Sequence, residues 1–588
     1  MTAEMMNEPI VYPTELRPTV QARFPDGRVL EGRRGTPLEA FIMAAQLPAE
    51  PRVVASLMNG RLRELCYPLP EDADLAPVTT ATNDGARIYR RSLSFLMIVA
   101  AAEVLPNQVI TILHSMPFGG YYCERDDGRR LTDAELSALH QRMTELVEAD
   151  LPIDNVRLPL EEALAFFRGQ SDLEKADLFA RRRKAYLTLY ELKGLRDYFH
   201  GFMVPRTGYL DLFSLCHYND GFILQFPRRS WPGVLQPFED EPRLAQIFQN
   251  YKDWLTIMGV GNVTSLNEAL ANGRSREVIL VAEALHQRQL ASIARDIANR
   301  QPAARLVAVS GPTSAGKTTF AKRLALQLLA QGIYPVIISL DDYFVDRENT
   351  PRDLTGNFDF EALEAVDVNL FQADMRRLMD GAEVVMPRYN FKTGRRELGP
   401  PLQIGKDHVI IVEGIHGLNP RLTANLPPSA TYRVFISAFT QLNLDKHNRV
   451  PTTDTRLLRR IVRDAAHRGY TATQTIGRWS SVRRGEKNHI FPFQNSADVF
   501  FNSALVYELS ALKLLAEPLL LQVEAGTRER LESNRLMAFL QWFEPMSPVD
   551  LQYIAGDSIL REFIGGSILE TFHPTHWYAT GSAGGRIS

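Results

Sequence analysis

The residues Gly311-Pro312-Thr313-Ser314-Ala315-Gly316-Lys317-Thr318 fit the pattern G-x-x-x-x-G-K-[ST] at every fixed position. These residue types at this spacing make an anion site. Glycines let the backbone approach a ligand, amide N–H groups and a helix dipole face its charge, and a lysine reaches its outer oxygens. A hydroxyl at Thr318 is suited to ligating Mg²⁺. Gly311, Thr313, Ser314, Ala315, Gly316, Lys317, Thr318 and Thr319 are therefore expected to hold the phosphates of a nucleoside triphosphate, ATP or GTP. The motif alone does not say what becomes of the phosphate.

Such a loop needs a buried strand before it and a helix after it. Leu306-Val307-Ala308-Val309 is a short apolar, β-branched run. Phe320, Leu324 and Leu328 recur every four residues with Ala321, Ala325 and Leu329 beside them, and Gly332 is a suitable stop. Beyond it the chain alternates strands and helices, which predicts a doubly wound parallel sheet. Val336 to Leu340 is a buried strand ending in Asp341-Asp342-Tyr343-Phe344, and Val409 to Val412 is another ending in Glu413-Gly414. Carboxylates at the C-terminal ends of such strands can accept a hydroxyl proton or join a Mg²⁺ shell. Further on, Arg456, Arg459, Arg460 and Arg463 adjoin the apolar Leu457, Leu458, Ile461 and Val462, followed by Arg468-Gly469. Arginines on a lid helix would clamp a transferring phosphoryl group and exclude water.

Four segments here resemble the uridine kinase and phosphoribulokinase family of P-loop kinases: the glycine loop, Ser339 to Phe344, Val412 to Ile415, and Arg459 to Asp464 with Arg468-Gly469. Asn357 to Leu363 resembles the family's Asn-Phe-Asp-His-Pro segment, and Pro387 to Phe391 its Pro-x-Tyr-Asp-Phe segment. The resemblance implies transfer of the ATP γ-phosphate to a primary hydroxyl. It implies Asp341 as the base and Lys317, Arg459, Arg463 and Arg468 as catalytic charges. It places Asp342, Asp359, Tyr389 and Phe391 at the acceptor, and Thr318 and Glu413 at Mg²⁺. In one respect the chain departs from uridine kinases: Phe391 is followed by Lys392-Thr393-Gly394-Arg395-Arg396, without the histidine that reads the pyrimidine edge, and Asn390 replaces an aspartate. A nucleoside is the expected substrate class; pantothenate and ribulose phosphate kinases share the pattern.

The N-terminal half reads differently. Val20 to Phe24, the turn Pro25-Asp26-Gly27 and Arg28 to Glu31 form a hairpin signal. Thr36-Pro37-Leu38 reads as a capped helix start with proline first, and Val53 to Met58, Asn59-Gly60 and Arg61 to Leu65 form a second hairpin. The expectation is a small ββαββ domain. It resembles the ubiquitin-like TGS domain of threonyl-tRNA synthetases, through Phe24 to Gly27, Arg34 to Thr36 and Met58 to Gly60. Residues from about 85 resemble the editing domain of the same synthetases, through Tyr89 to Phe95, Gly119 to Tyr122 and Phe199 to Gly208. The family's four metal-ligand positions are occupied by Arg91, Phe95, Phe199 and Met203, a poor set of ligands, so no zinc site and no hydrolysis are expected. His114 and His200 are scattered.

These readings give a multidomain α/β and α+β chain. Its expected parts are a TGS-like domain at 18–82, a degenerate editing-like domain at 85–240 and a helical connector at 241–300. A P-loop kinase domain at 301–525 and a C-terminal helical extension and tail at 526–588 follow. With 588 residues, several cores are required. A net charge of −3 gives no overall nucleic-acid or membrane footprint, and Cys66, Cys123 and Cys216 form no metal or redox spacing. Met1 to Glu15 has no apolar core, so no signal peptide is expected, and the Gly- and Ser-rich Ala579 to Ser588 reads as disordered. The expectation is a cytoplasmic ATP- and Mg²⁺-dependent nucleoside kinase without membrane contact. The alternatives are a kinase for another sugar or vitamin alcohol, and a nucleotide-dependent RNA-binding or regulatory protein whose N-terminal half contacts RNA or an effector. Oligomeric state is left open.

Overall fold

The computed structural model describes residues 17–182, 184–353, 356–424, 428–440 and 442–574. The readings made on Met1 to Glu15 and on Ala579 to Ser588 lie outside the described residues. The chain divides into two compact units, one of residues 1–163 and 184–239, the other of residues 164–183 and 240–588.

The first unit begins with a sheet of five strands. In order across the sheet they are Val29–Arg33, Thr19–Arg23, Ala73–Thr79, Val53–Met58 and Arg61–Arg63, with the helix Leu38–Ala44 between the two hairpins. The expected ββαββ pattern therefore lacked its middle strand. Ala73–Thr79 runs parallel to Thr19–Arg23 and antiparallel to Val53–Met58, and Pro77 interrupts its alternation. Pro37 occupies the N-cap itself and no side chain caps this helix, so Thr36 does not play that part.

The rest of this unit is built around the helix Asn83–Val104, whose residues from Ser92 to Ala101 are buried on every side. Such a helix tolerates serine because the hydroxyls return to its own backbone. Ser92 Oγ donates to Ile88 O at 2.9 Å and Ser94 Oγ to Arg90 O at 3.0 Å. Thr82 caps the start by accepting from Gly85 N. Against it pack the helix Asp133–Glu148 and an antiparallel sheet ordered Ser214–Tyr218, Gly221–Gln225, Gly120–Arg125 and Ile110–Met116. A smaller three-stranded sheet holds Asp154–Pro159, Tyr186–Leu192 and Leu195–Asp197.

The second unit contains a five-stranded sheet in which every neighbouring pair is parallel, as the strand and helix alternation predicts. Its order is Tyr334–Ser339, His408–Glu413, Leu306–Ser310, Thr431–Ser437 and Val499–Asn502. The strand that feeds the glycine loop is central and completely buried. A parallel sheet hides both faces, so its strands are continuous apolar runs and not alternating ones. The helix Lys317–Leu329 leaves the loop and packs along the longer helix Ser275–Asn299. Phe320 packs at a tilt against Phe501, 4.7 Å between ring centroids. The helix Thr452–Arg463 packs on Glu508–Leu521. A two-stranded hairpin, Val384–Asn390 with Arg395–Leu402, stands outside the parallel sheet.

Phe95 is fully buried, and truncating it to alanine is expected to cost about 3–5 kcal/mol. Amide hydrogen exchange should accelerate along Asn83–Val104 in Phe95→Ala and stay unchanged in Lys317–Leu329.

Candidate active site

The glycine loop is shaped by close contacts that forbid side chains. A Cβ on Gly311 would lie 2.0 Å from Ile436 O. Gly316, the N-cap of the loop helix, has φ +85° and a Cβ there would lie 2.5 Å from Ile559 Cγ2. Ser314 also takes a positive φ of 58°, and its Oγ is buried without a partner. The half-buried Lys317 donates to Pro312 O at 3.1 Å, and desolvation lowers its pKa against the raising effect of Glu413 and Asp341.

Strand ends bring the carboxylates to this loop. Glu413 Oε1 accepts from Ser339 Oγ at 2.9 Å and from Thr318 Oγ1 at 3.3 Å. Burial, with Asp341 nearby, raises the Glu413 carboxyl to about 7. Thr318, Ser339 and Glu413 form an all-oxygen donor set beside the phosphate loop, which suits a hard cation such as Mg²⁺. Asp341 lies on the turn Leu340–Tyr343, where its charge is felt by Lys317, Glu413 and Arg468. Asp342 faces elsewhere: its Oδ1 accepts from Tyr389 N at 3.2 Å and ties the hairpin to the sheet edge.

The aromatic residues gather on that side. Phe391 lies 5.1 Å from Tyr389 and 6.3 Å from Phe344, and the Arg468 guanidinium sits 5.9 Å above its ring. Tyr389 is buried, whereas Phe391 is 53% exposed. Asp359 Oδ1 accepts from Glu361 N at 3.1 Å and so braces the loop that carries Glu361. Phe344, Tyr389 and Phe391 thus form one aromatic cluster with Arg468 over it, and Asp342 holds its hairpin in place.

The four-arginine lid requires correction. Arg459 is fully buried and does not reach the site mouth. Its Nε donates to Glu508 Oε2 at 2.8 Å, its Nη2 to Ser503 O at 2.8 Å and its Nη1 to Ser314 O at 3.4 Å. Arg456 is equally buried, paired with Glu486, and donates to Thr313 O at 3.0 Å. These two arginines hold the underside of the loop. Thr313 N donates to Glu486 Oε1 at 3.1 Å, so this expected phosphate donor is already engaged. Arg460 and Arg463 pair with Asp464, and the half-exposed Arg468 extends from the π-turn Asp464–Arg468.

Two further groups escape motif reading. Glu361 Oε2 is buried without a partner, and burial raises this carboxyl to about 7. Glu562, more than 240 residues beyond the loop, accepts from Thr319 Oγ1 at 2.8 Å. Neither belongs to a spacing pattern. Only the replacement of the family's proline by Glu361 was visible in advance.

In the first unit, the Phe95 and Phe199 rings pack at a tilt, 5.3 Å between centroids, and both are buried with Met203. Arg91 donates to Phe202 O, and Gly201 leaves it room, since a Cβ there would lie 2.7 Å from the guanidinium carbon. Glu64 accepts from Tyr190 OH and, at 3.0 Å, from Met203 N. The half-buried Arg91 and the buried Phe95, Phe199 and Met203 stand at the four positions where the resemblance to the editing family leads one to expect ligands.

A parallel sheet with a glycine loop after its central strand, and acids after the neighbouring strand ends, defines a phosphate-loop nucleotide-binding fold. Residues 306–510 match the Phosphoribulokinase / Uridine kinase family, so the chain carries a domain of that family over about a third of its length, and this supports a phosphotransferase. The N-terminal half is similar to threonine–tRNA ligases. The chain is 31% identical over 196 residues to the Threonine–tRNA ligase of Laribacter hongkongensis, covering 33% of this chain and 30% of that protein. It is 29% identical over 191 residues to that of Desulforamulus reducens, covering 32% and 30%. The chain spans about a third of the length of these curated relatives. The solved "Structure of a Possible Uridine Kinase from Bacillus stearothermophilus" aligns at 20% identity with a TM-score of 0.26, over 36% of this chain and 98% of that one.

Two stability measurements follow from this geometry. Arg459→Ala leaves the Glu508 charge buried and unpaired, and is expected to cost about 3–5 kcal/mol in denaturant unfolding. Glu413 has a raised pKa in the folded state, so its contribution is most favourable below about pH 4.5 and is lost as pH rises towards 7. Glu413→Gln should therefore match the wild type near pH 4.5 and exceed it by on the order of 2 kcal/mol at pH 8. An equal effect at both pH values would show that Glu413 is not held protonated.

Proposed function

We propose that the chain is an ATP-dependent kinase that phosphorylates a primary hydroxyl of a small molecule, with a nucleoside 5′-hydroxyl as the favoured acceptor. The observation that carries this reading is Glu413 accepting from Thr318 and Ser339 beside the glycine loop, with Arg468 set over Phe391 and the charge of Asp341 felt by Lys317, Glu413 and Arg468. In this reading a base and a phosphate-binding cation follow the carboxyl ends of strands of the one parallel sheet.

In this reading Asp341 takes the proton of the acceptor hydroxyl. The hydroxyl oxygen forms a bond to the γ-phosphorus, and the bond from that phosphorus to the β,γ-bridging oxygen breaks, leaving ADP. Lys317 turns from Pro312 O towards the terminal phosphates, and Arg468 and Arg463 neutralise charge on the transferring group. Thr318 and Glu413 are the residues that would hold Mg²⁺, which supplies further neutralisation of the phosphate oxygens when bound. Tyr389 and Phe391 supply the face on which a base or other flat acceptor rests. The histidine that reads pyrimidines in uridine kinases has no counterpart after Phe391. Arg347 lies there, donating to Phe391 O at 2.7 Å, so base preference is expected to differ from that of a uridine kinase.

The test is product detection by mass after incubation with Mg²⁺, ATP and a panel of nucleosides, ribulose 5-phosphate and pantothenate. A phosphorylated nucleoside is expected; a product only from another alcohol would reassign the acceptor. No product with ATP still bound would favour the RNA-linked regulatory reading that the similarity to threonine–tRNA ligases motivates. Asp341→Asn is expected to lower kcat by about 10²–10⁴ with MgATP affinity within twofold of wild type. Phe391→Ala should raise the acceptor KM by about two- to tenfold with a smaller change in kcat.

A further inference from the structure

The amides at the start of a helix have no partners within it, and in a phosphate loop they are the donors offered to the ligand. Gly316 caps the helix Lys317–Leu329 and has no side chain with which to satisfy them. The third helical residue is Thr319. Its N–H donates to Glu562 Oε2 at 3.4 Å and its Oγ1 donates to the same oxygen at 2.8 Å. A carboxylate from the C-terminal extension therefore already occupies an anion position of the phosphate loop.

This contact is not an isolated side-chain excursion. The segment that bears Glu562 is fastened to the loop helix along its length. Ile559 is fully buried and packs against the open face of Gly316, the glycine that lets a phosphate approach. Lys322 Nζ donates to Leu569 O and, at 3.0 Å, to Glu570 O. Arg323 pairs with Asp557 at 3.5 Å. Phe563 is fully buried beneath the Arg459 guanidinium, 4.9 Å from its ring centre. Within the segment, Arg561 Nη2 donates to Leu551 O and Ile554 O and fixes the turn before it. The charges facing Glu562 are Lys317 and Lys322, with Glu413 also near.

One pair of donors cannot serve two anions, and a carboxylate left beside an incoming phosphate repels it. We propose that Asp557–Glu570 is an autoinhibitory strap, with Glu562 as an internal phosphate surrogate that a nucleoside triphosphate must displace from Thr319. The proposal rests on the reading that this loop binds ATP. The strap lowers apparent nucleotide affinity by the fraction of molecules in which it is open. Anything that draws the C-terminal extension away then activates the site without touching the acceptor pocket.

The experiment uses the full chain and MgATP itself. Calorimetric titration compares the wild type with Glu562→Gln, Glu562→Ala and the control Lys317→Ala. Both Glu562 variants are expected to bind MgATP at least about tenfold more tightly, with Lys317→Ala losing binding. Hydrogen exchange on the wild type keeps the test independent of any substitution: MgATP should slow exchange in Gly311–Thr319 and quicken it in Ser558–Leu569. Lys317-dependent binding of wild-type strength or weaker in both Glu562 variants would overturn the strap alone, as would slower exchange in Ser558–Leu569. Absence of MgATP binding in every protein would overturn the strap and the ATP reading together.

Discussion

Two arginines without access to water hold the phosphate loop in shape. Arg456 and Arg459 each pair with a buried glutamate, and each also donates to a loop carbonyl, Thr313 O and Ser314 O. A loop whose amide groups must point outward needs its carbonyls satisfied behind it. The guanidinium fork does this while remaining neutralised by Glu486 and Glu508. Buried pairs of this kind are expensive to desolvate, so their value here is geometric: they fix which way the loop faces. Glu486 makes the link complete, because it also accepts from Thr313 N.

The first unit shows the opposite use of burial. At the positions where the resemblance to the editing family leads one to expect polar ligands, this chain has a tilted Phe95–Phe199 pair, Met203, and Arg91 bonded to a backbone carbonyl. An apolar aromatic pair packs without an ion to close it. The remaining polar groups, Glu64 and Tyr190, satisfy one another and Met203 N.

Much of the kinase-like domain was legible because its signals are local. A glycine loop between an apolar run and a helical period, and acids directly after apolar strands, are all contained in short windows. What escaped depends on partners distant in sequence. Arg459 reads as a surface charge on an amphipathic helix, and nothing nearby reveals that Glu508 lies 49 residues on, turned inward to meet it. Asp342 looks as catalytic as Asp341 until Tyr389 N is found on its oxygen, 47 residues away. Glu562 is 243 residues from Thr319. The strand Ala73–Thr79 was hidden for a local reason, a proline within a short alternation.

The division of the chain also sets an order of events during synthesis. Residues 164–183 belong to the second unit although residues on both sides of them belong to the first. Within that segment Phe179 is fully buried against Trp542, 5.6 Å between ring centroids, and Arg182 lies 5.1 Å from the same ring. At a translation rate of about 5–20 residues per second, Phe179 waits on the order of tens of seconds for Trp542 to be made. Until then Phe179 can pack on Phe167, 5.2 Å away within the same segment, so this part of the second unit is finished only after residue 542 has been made.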